Sequence, residues 1–306
     1  MRRLIGCMLV LLILSSTHLH AQEYAIEGTA GGVKKGEAKL TLYDGDSTKH
    51  TYTTSIADGC FAFKGKVRTA TIAEIQLPTY PSCFFYVEPG KITVVYDTDV
   101  TLAPRINGSR SNSEYRYLLE QCHNNEVETC IIAYIQANPA SIFSPFLLYH
   151  HLKTVDAAKK ETLLQGLSGE AQNTYHYHLL KKVLSARQTL SRGARFPDNH
   201  FPSRSRFEAM RQQHKGKYMV LSVGASWCDQ CKRAESHIDS IVSTNDKVAH
   251  FNIRLDDDKR GWEAPYVQEL AIEYIPYIIV IDPEGFIVAR DTRYWELYKH
   301  LPDINQ

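Results

Sequence analysis

Two cysteines spaced as Cys228-Asp229-Gln230-Cys231, directly behind Trp227, are the residues of this chain best suited to chemistry. Thiols at that spacing suit thiol-disulfide exchange, in which one attacks a disulfide as its thiolate and the other resolves the mixed disulfide. The attacking thiol has to lose its proton near neutral pH and stay reachable. A helix N-terminus meets both needs, because its unpaired amides and the positive end of its dipole stabilise an anion there. Lys232 and Arg233 add positive charge within the same turn. Asp229 acts in the opposite sense and raises the thiol pKa, which points to a reducing or isomerising pair over a strongly oxidising one.

The elements that must hold such a pair follow from the flanking residues. Tyr218-Met219-Val220-Leu221-Ser222-Val223-Gly224 reads as a buried strand running into the cysteine turn, and the helix behind it extends to about Thr244. Further on, Tyr274-Ile275-Pro276-Tyr277 stands before the apolar run Ile278-Ile279-Val280-Ile281. A proline placed beside exchanging thiols, often cis, leaves backbone free to pair with an extended substrate peptide. Trp227, Ile275 and Pro276 are the candidate substrate-binding residues.

Taken together, W-C-x-x-C at 227 to 231, I-P at 275 to 276 and V-I-D-P-E-G-F-I at 280 to 287 make the segment from about Arg195 to Leu301 resemble the thioredoxin fold. In particular it resembles the TlpA/ResA group of extracytoplasmic thiol-disulfide oxidoreductases. The resemblance implies that Cys228 attacks protein disulfides, that Cys231 resolves, and that a membrane electron donor of the DsbD type re-reduces the pair. It implies no cofactor. Three positions depart from the pattern: Ala234 and Ser236 stand where the group has Glu and Pro, and Ser222 stands where thioredoxins bury an aspartate. A proton acceptor for Cys231 is therefore open, either Glu235 brought in by a shifted helix or water.

Other uses of the cysteines are disfavoured. Zinc needs two more ligands, there is no second C-x-x-C, and His237 lies two turns down the helix, so no metal is expected. Lys232 occupies the histidine position of a haem-attachment motif, and Ala225 the threonine position of a peroxidatic cysteine. The rival reading is a binding or assembly protein built on a degenerate thioredoxin-like scaffold.

With 306 residues the chain has room for two domains, and a net charge of +1 without a long basic block gives nucleic-acid binding little support. Arg2-Arg3, the apolar run Leu4 to Leu14 and Leu19-His20-Ala21 read as an export signal cleaved near Ala21, which predicts a periplasmic protein. Cys7 precedes most of the apolar run, so a lipoprotein is not expected. Residues 22–110 show short β-rich runs broken by Asp44-Gly45, Asp58-Gly59 and Glu88-Pro89-Gly90. This part resembles an uncharacterised β-rich domain that often precedes TlpA-like domains in exported bacterial proteins, through its D-G-x-F and E-P-G turns. The expected fold class is an α/β thioredoxin-like C-terminal domain (192–306), preceded by an all-β sandwich-like domain (22–110) and a helical connector (111–191). The first two parts would position partners or support a homodimer.

Among the remaining cysteines, Cys60 and Cys83 are either bonded to each other or free. Cys122 and Cys130 would lie about 12 Å apart on one unbroken helix, too far to bond, unless Asn124-Asn125 breaks it. Histidines 150, 151, 176 and 178 read as solvated helix faces, and Asp256-Asp257-Asp258 as a loop after a strand. Asn107-Gly108-Ser109 fits a glycosylation sequon, which carries little meaning in an exported bacterial chain.

Overall fold

The computed structural model describes residues 21–45, 48–123, 126–197 and 204–302. Apart from Ala21, the expected export signal lies outside these residues, as does Asn124-Asn125. The chain divides into two compact units, one reaching to Leu119 and the other running from Glu120 onward, with the Gly45–Thr48 segment counted to the second.

The first unit is all β until its last helix. Its strands are β1 (Gln22–Ala30), β2 (Lys35–Tyr43), β3 (Lys49–Ala57), β4 (Cys60–Val67), β5 (Thr71–Gln76), β6 (Cys83–Val87), β7 (Gly90–Tyr96) and β8 (Arg105–Asn107). They form one sheet in the order β6-β5-β2-β3-β4-β1-β7-β8. Where a sandwich-like domain was the expectation, the strands belong to a single eight-stranded sheet. β3 meets β4 only at Ala57 and Cys60, across the Asp58-Gly59 turn, where both turn residues have positive φ as a tight hairpin requires. Ile75 and Phe85 from one half and Ile26, Phe63 and Val94 from the other share one apolar core. α1 (Arg110–His123) starts against this sheet. Asn112 extends β6 by bonding both the N–H and the carbonyl of Tyr86 at 2.7 Å. Glu88 accepts from the Arg110 amide and the Ser111 hydroxyl, which satisfies donors that a helix start leaves open.

In the second unit, α2 (Val127–Ala137), α3 (Phe143–His150), α4 (Ala157–Gln165) and α5 (Tyr175–Thr189) lead into an α/β part. This consists of α6 (Arg204–Gln213), β9 (Tyr218–Gly224), α7 (Asp229–Thr244), β10 (Val248–Arg254), α8 (Pro265–Glu269), β11 (Tyr277–Ile281) and β12 (Ile287–Arg290). The sheet order is β10-β9-β11-β12, with β9 parallel to β10 and antiparallel to β11, a thioredoxin-like arrangement. Alternation along β9 divides the core. Met219, Leu221 and Val223 face one apolar cluster, while Val220 faces the other beside Ile238 and Ile241 of α7. The helices 127–189 and the α/β part belong to the same unit, so the helical segment is more than a tether between domains.

Several elements differ from their sequence reading. Between Glu263 and Tyr274 only Pro265–Glu269 is α-helical, and Ala271 at φ 51° takes the chain out of the helix. The segment Gly169 to Leu190 splits into a 3-10 turn and α5, with Thr174 capping the latter. The last helix is a 3-10 stretch, Tyr294–Lys299. His151 and His178 are exposed as expected, but His176 is buried and His150 half-buried, their Nε2 atoms 3.2 Å apart. Burial pushes the His150 imidazole down to about 3. Cys122 and Cys130 are bonded, their Cα atoms 5.4 Å apart, whereas Cys60 and Cys83 are free thiols.

Two outcomes follow. In the native protein with disulfides intact, iodoacetamide at pH 8 should label exposed Cys60 well ahead of Cys83, whose thiol burial pushes up to about 11, while peptide mapping recovers Cys122 linked to Cys130. Equal labelling rates would contradict this. Second, His150 is depressed in the folded chain, so stability is complete above the unfolded value of 6.5 and declines as pH falls from there toward about 3. Each unit of pH in that window should remove up to about 1.4 kcal/mol from this one group. Urea unfolding of His150→Phe should show a shallower loss between pH 6 and 4 than the unsubstituted protein.

Candidate functional site

β9 delivers the chain to the cysteine turn, and the closeness of that turn to the strand is set by Gly224. A Cβ there would stand 3.0 Å from Cys231 Cβ and 3.4 Å from its sulfur, so over a larger residue α7 would have to give way slightly. Cys228 is the N-cap of α7, and its sulfur accepts the Cys231 amide at 3.1 Å, one of the donors a helix start leaves unpaired. The two sulfurs form a disulfide, with Cα atoms 5.2 Å apart. Cys231 is buried and Cys228 half-buried, the asymmetry expected of a resolving and an attacking thiol. Asp256 fixes the entrance to the turn by accepting the Ser226 amide at 2.9 Å. The hydrogen bonds from Ser226 hold its carboxyl below the usual range. This aspartate, on the 3-10 turn after β10, was missed in the sequence because the bond joins residues thirty apart.

Asp229 is exposed and paired with Lys232 at 3.0 Å, and this hydrogen bond and charge hold its carboxyl low. Its negative field on Cys228 keeps its sign and is partly offset by Lys232.

The Ile275-Pro276 bond is cis. Tyr274, Ile275 and Pro276 line a groove together with Gln230 and Arg233 from the start of α7 and Thr292, Arg293, Tyr294 and Trp295 from beyond β12. Cys228 and Ile275 pack against the same apolar cluster. The structure thus brings Cys228, Cys231, Ile275 and Pro276 to one end of the sheet. Trp227 stands 62% exposed on the turn and does not line the groove.

Below the cysteines, α7 and β10 face each other with polar side chains. Glu235 Oε1 comes within 3.5 Å of the point where a Gly224 Cβ would stand, the place the Cys231 sulfur also approaches. Its other oxygen accepts from Arg254 at 3.1 Å. Glu235 lies four residues after Cys231 and so shares its helix face. Deeper in, Ser222 is bonded to His250 at 2.7 Å and Asn252 at 3.1 Å, and His250 is bonded to Asp239 at 2.8 Å. Ser222 is buried, which excludes it as a nucleophile toward any substrate. The alternation of His250, Asn252 and Arg254 along β10 was the sequence signal for this polar face. Among the described residues no cluster of histidine, cysteine or carboxylate side chains is arranged to hold a metal ion.

A family described as a domain of unknown function (DUF4369) matches residues 24–115. No curated protein matches the sequence. Among solved structures, the chain is similar to a thioredoxin-like protein from Parabacteroides distasonis, at 16% identity over 36% of this chain and 93% of that one, with a TM-score of 0.30. It is also similar to the C-terminal domain of a putative thiol-disulfide oxidoreductase from Bacteroides thetaiotaomicron, at 24% identity over 28% and 74%, TM-score 0.24. A thioredoxin-like protein from Bacteroides caccae aligns over 56% and 74% at 12% identity, TM-score 0.37.

The placement of Glu235 generates a test. In Glu235→Gln, resolution of a Cys228 mixed disulfide by Cys231 at pH 7 should slow by about 100-fold, the scale of a lost general base, with Cys228 alkylation unchanged. Stopped-flow release of a trapped thionitrobenzoate adduct measures it. An unchanged rate across pH assigns the proton to water.

Proposed function

We propose that this chain is a thiol-disulfide oxidoreductase whose working dithiol is Cys228 and Cys231. The observation that carries the reading is the seat of Cys228: an N-cap sulfur, half-exposed, already accepting a helix amide, with a buried partner thiol one turn on. The Cys228 thiolate attacks one sulfur of a substrate disulfide and the other sulfur leaves as a thiolate. Cys231 then passes its proton to Glu235 and attacks the Cys228 sulfur. The substrate departs with both sulfurs reduced, one proton returning from Glu235 and the second coming from solvent, and the chain is left with the disulfide it shows here. In the mixed disulfide, the substrate chain lies in the groove, with the Ile275 backbone as its pairing edge and Trp227 at the rim.

Reduction or isomerisation is the direction we assign, on the sign of the Asp229 effect. A reducing pair in an oxidising compartment needs electrons from outside, so the proposal extends to export through the N-terminal apolar segment, a periplasmic location and a membrane donor of the DsbD type. Protein disulfides are the substrates, and the β-rich unit is free to recruit them or to pair with a second copy.

An insulin-reduction assay with dithiothreitol tests the core of the proposal. The unsubstituted protein should accelerate precipitation, Cys228→Ser should abolish the effect, and Cys231→Ala should accumulate mixed disulfides visible on a non-reducing gel. Activity that survives Cys228→Ser, or a wild type without activity, returns the chain to the binding-scaffold reading. A measured potential near that of the DsbA class would overturn the reducing direction.

A further inference from the structure

The groove beside the dithiol has two walls from separate parts of the chain, Tyr274 to Pro276 and Thr292 to Trp295. A carboxylate stands at the root of each: Glu273 before the first and Asp291 before the second. Arg187 of α5 reaches both. One terminal nitrogen donates to Glu273 Oε2 at 2.6 Å and the other donates to Asp291. The Tyr274 hydroxyl also donates to Asp291, tying wall to wall. Behind them Lys160 of α4, fully buried, donates to the remaining Glu273 oxygen at 2.8 Å and to the Lys153 carbonyl at 3.4 Å. Two cations and two carboxylates thus close a nearly dry network, with Glu273 only 3% exposed.

Burying charges costs several kcal/mol per ion before pairing, and an apolar cluster of the same volume would hold helices to a sheet at least as well. Stability is therefore a poor reason for these four residues. A guanidinium supplies something leucine cannot, since its rigid fork fixes the distance and angle between the two carboxylates it bridges. Asp291 also holds a left-handed backbone, φ 58°, a conformation that persists in a non-glycine residue only where its surroundings enforce it.

We propose that Arg187, backed by Lys160, is a positioning residue for the substrate groove: it sets the spacing between the cis-proline wall and the Thr292 to Trp295 wall, which makes the helical layer a working part of the redox site. This rests on the groove being the place where substrate binds, as proposed above. The dithiol itself is held by β9 and α7, and among the described residues no hydrogen bond or ion pair joins it to the network, so a disulfide too small to use the groove is indifferent to it.

The experiment compares two disulfides, a twelve-residue peptide with one internal disulfide and bis(2-hydroxyethyl) disulfide, in steady-state assays well below the unfolding temperature. Arg187→Lys keeps the charge and loses the fork. It should raise KM for the peptide about tenfold, a differential binding loss of about 1.4 kcal/mol, while kcat/KM for the small disulfide stays within twofold. If Arg187→Lys does not fold, the charge-balanced pair Lys160→Met with Glu273→Gln carries the same test and should give the same split. An unchanged peptide KM in a folded variant overturns the proposal. So does a parallel fall on both disulfides, which is the mark of a merely structural role. A wild type that reduces neither disulfide sinks the oxidoreductase reading, and the groove assignment with it.

Discussion

α7 comes close to β9 at Gly224, and the seating of the two cysteines depends on it. Because no side chain intervenes, the buried sulfur of Cys231 rests against strand backbone, Cys228 is left at the helix start where the unpaired amides are, and Glu235 is drawn to the same spot. A larger residue at 224 would press on Cys231 and Glu235 together, and the first turn would have to yield slightly. Strand, turn and helix are therefore one mechanical piece, with Asp256 bracing its entrance from the neighbouring strand end.

What could be read in the sequence was what depends on near neighbours. The strand before the cysteines, the turn, the proline and the hairpin at Asp58-Gly59 each announce themselves within a dozen residues, since φ restriction, apolar runs and helix starts are local effects. The failures are non-local. Nothing within the helical segment shows that Lys160 will meet a carboxylate 113 positions away, so its polar residues look like a solvated face. His150 and His176 are alike: each reads as exposed until a second helix is laid over it. The Cys122 to Cys130 bond hangs on how the chain turns between two helices, a matter that composition does not decide.

The polar face between α7 and β10 complicates the picture of a thioredoxin-like core. Where an aspartate would be buried, Ser222 is held by His250 and Asn252, and the charged groups are moved outward to Asp239 and to the Glu235 and Arg254 pair. A serine costs little to bury once bonded, whereas a lone carboxylate in the same place would need a partner or a proton. The acidic groups of this face therefore sit on α7, with Glu235 one turn after Cys231.

The balanced charges behind the groove also bear on how this chain can be divided or inherited. Cut at the boundary suggested by its motifs, near residue 192, a fragment carrying only the thioredoxin-like segment would keep Glu273 and Asp291 and lose both cations that neutralise them. Its cysteine motif would be complete, yet Glu273 would lose both cationic partners and Asp291 would keep only the Tyr274 hydroxyl of the bonds described. The segment that keeps these charges balanced is therefore longer than the recognisable fold and takes in α4 and α5.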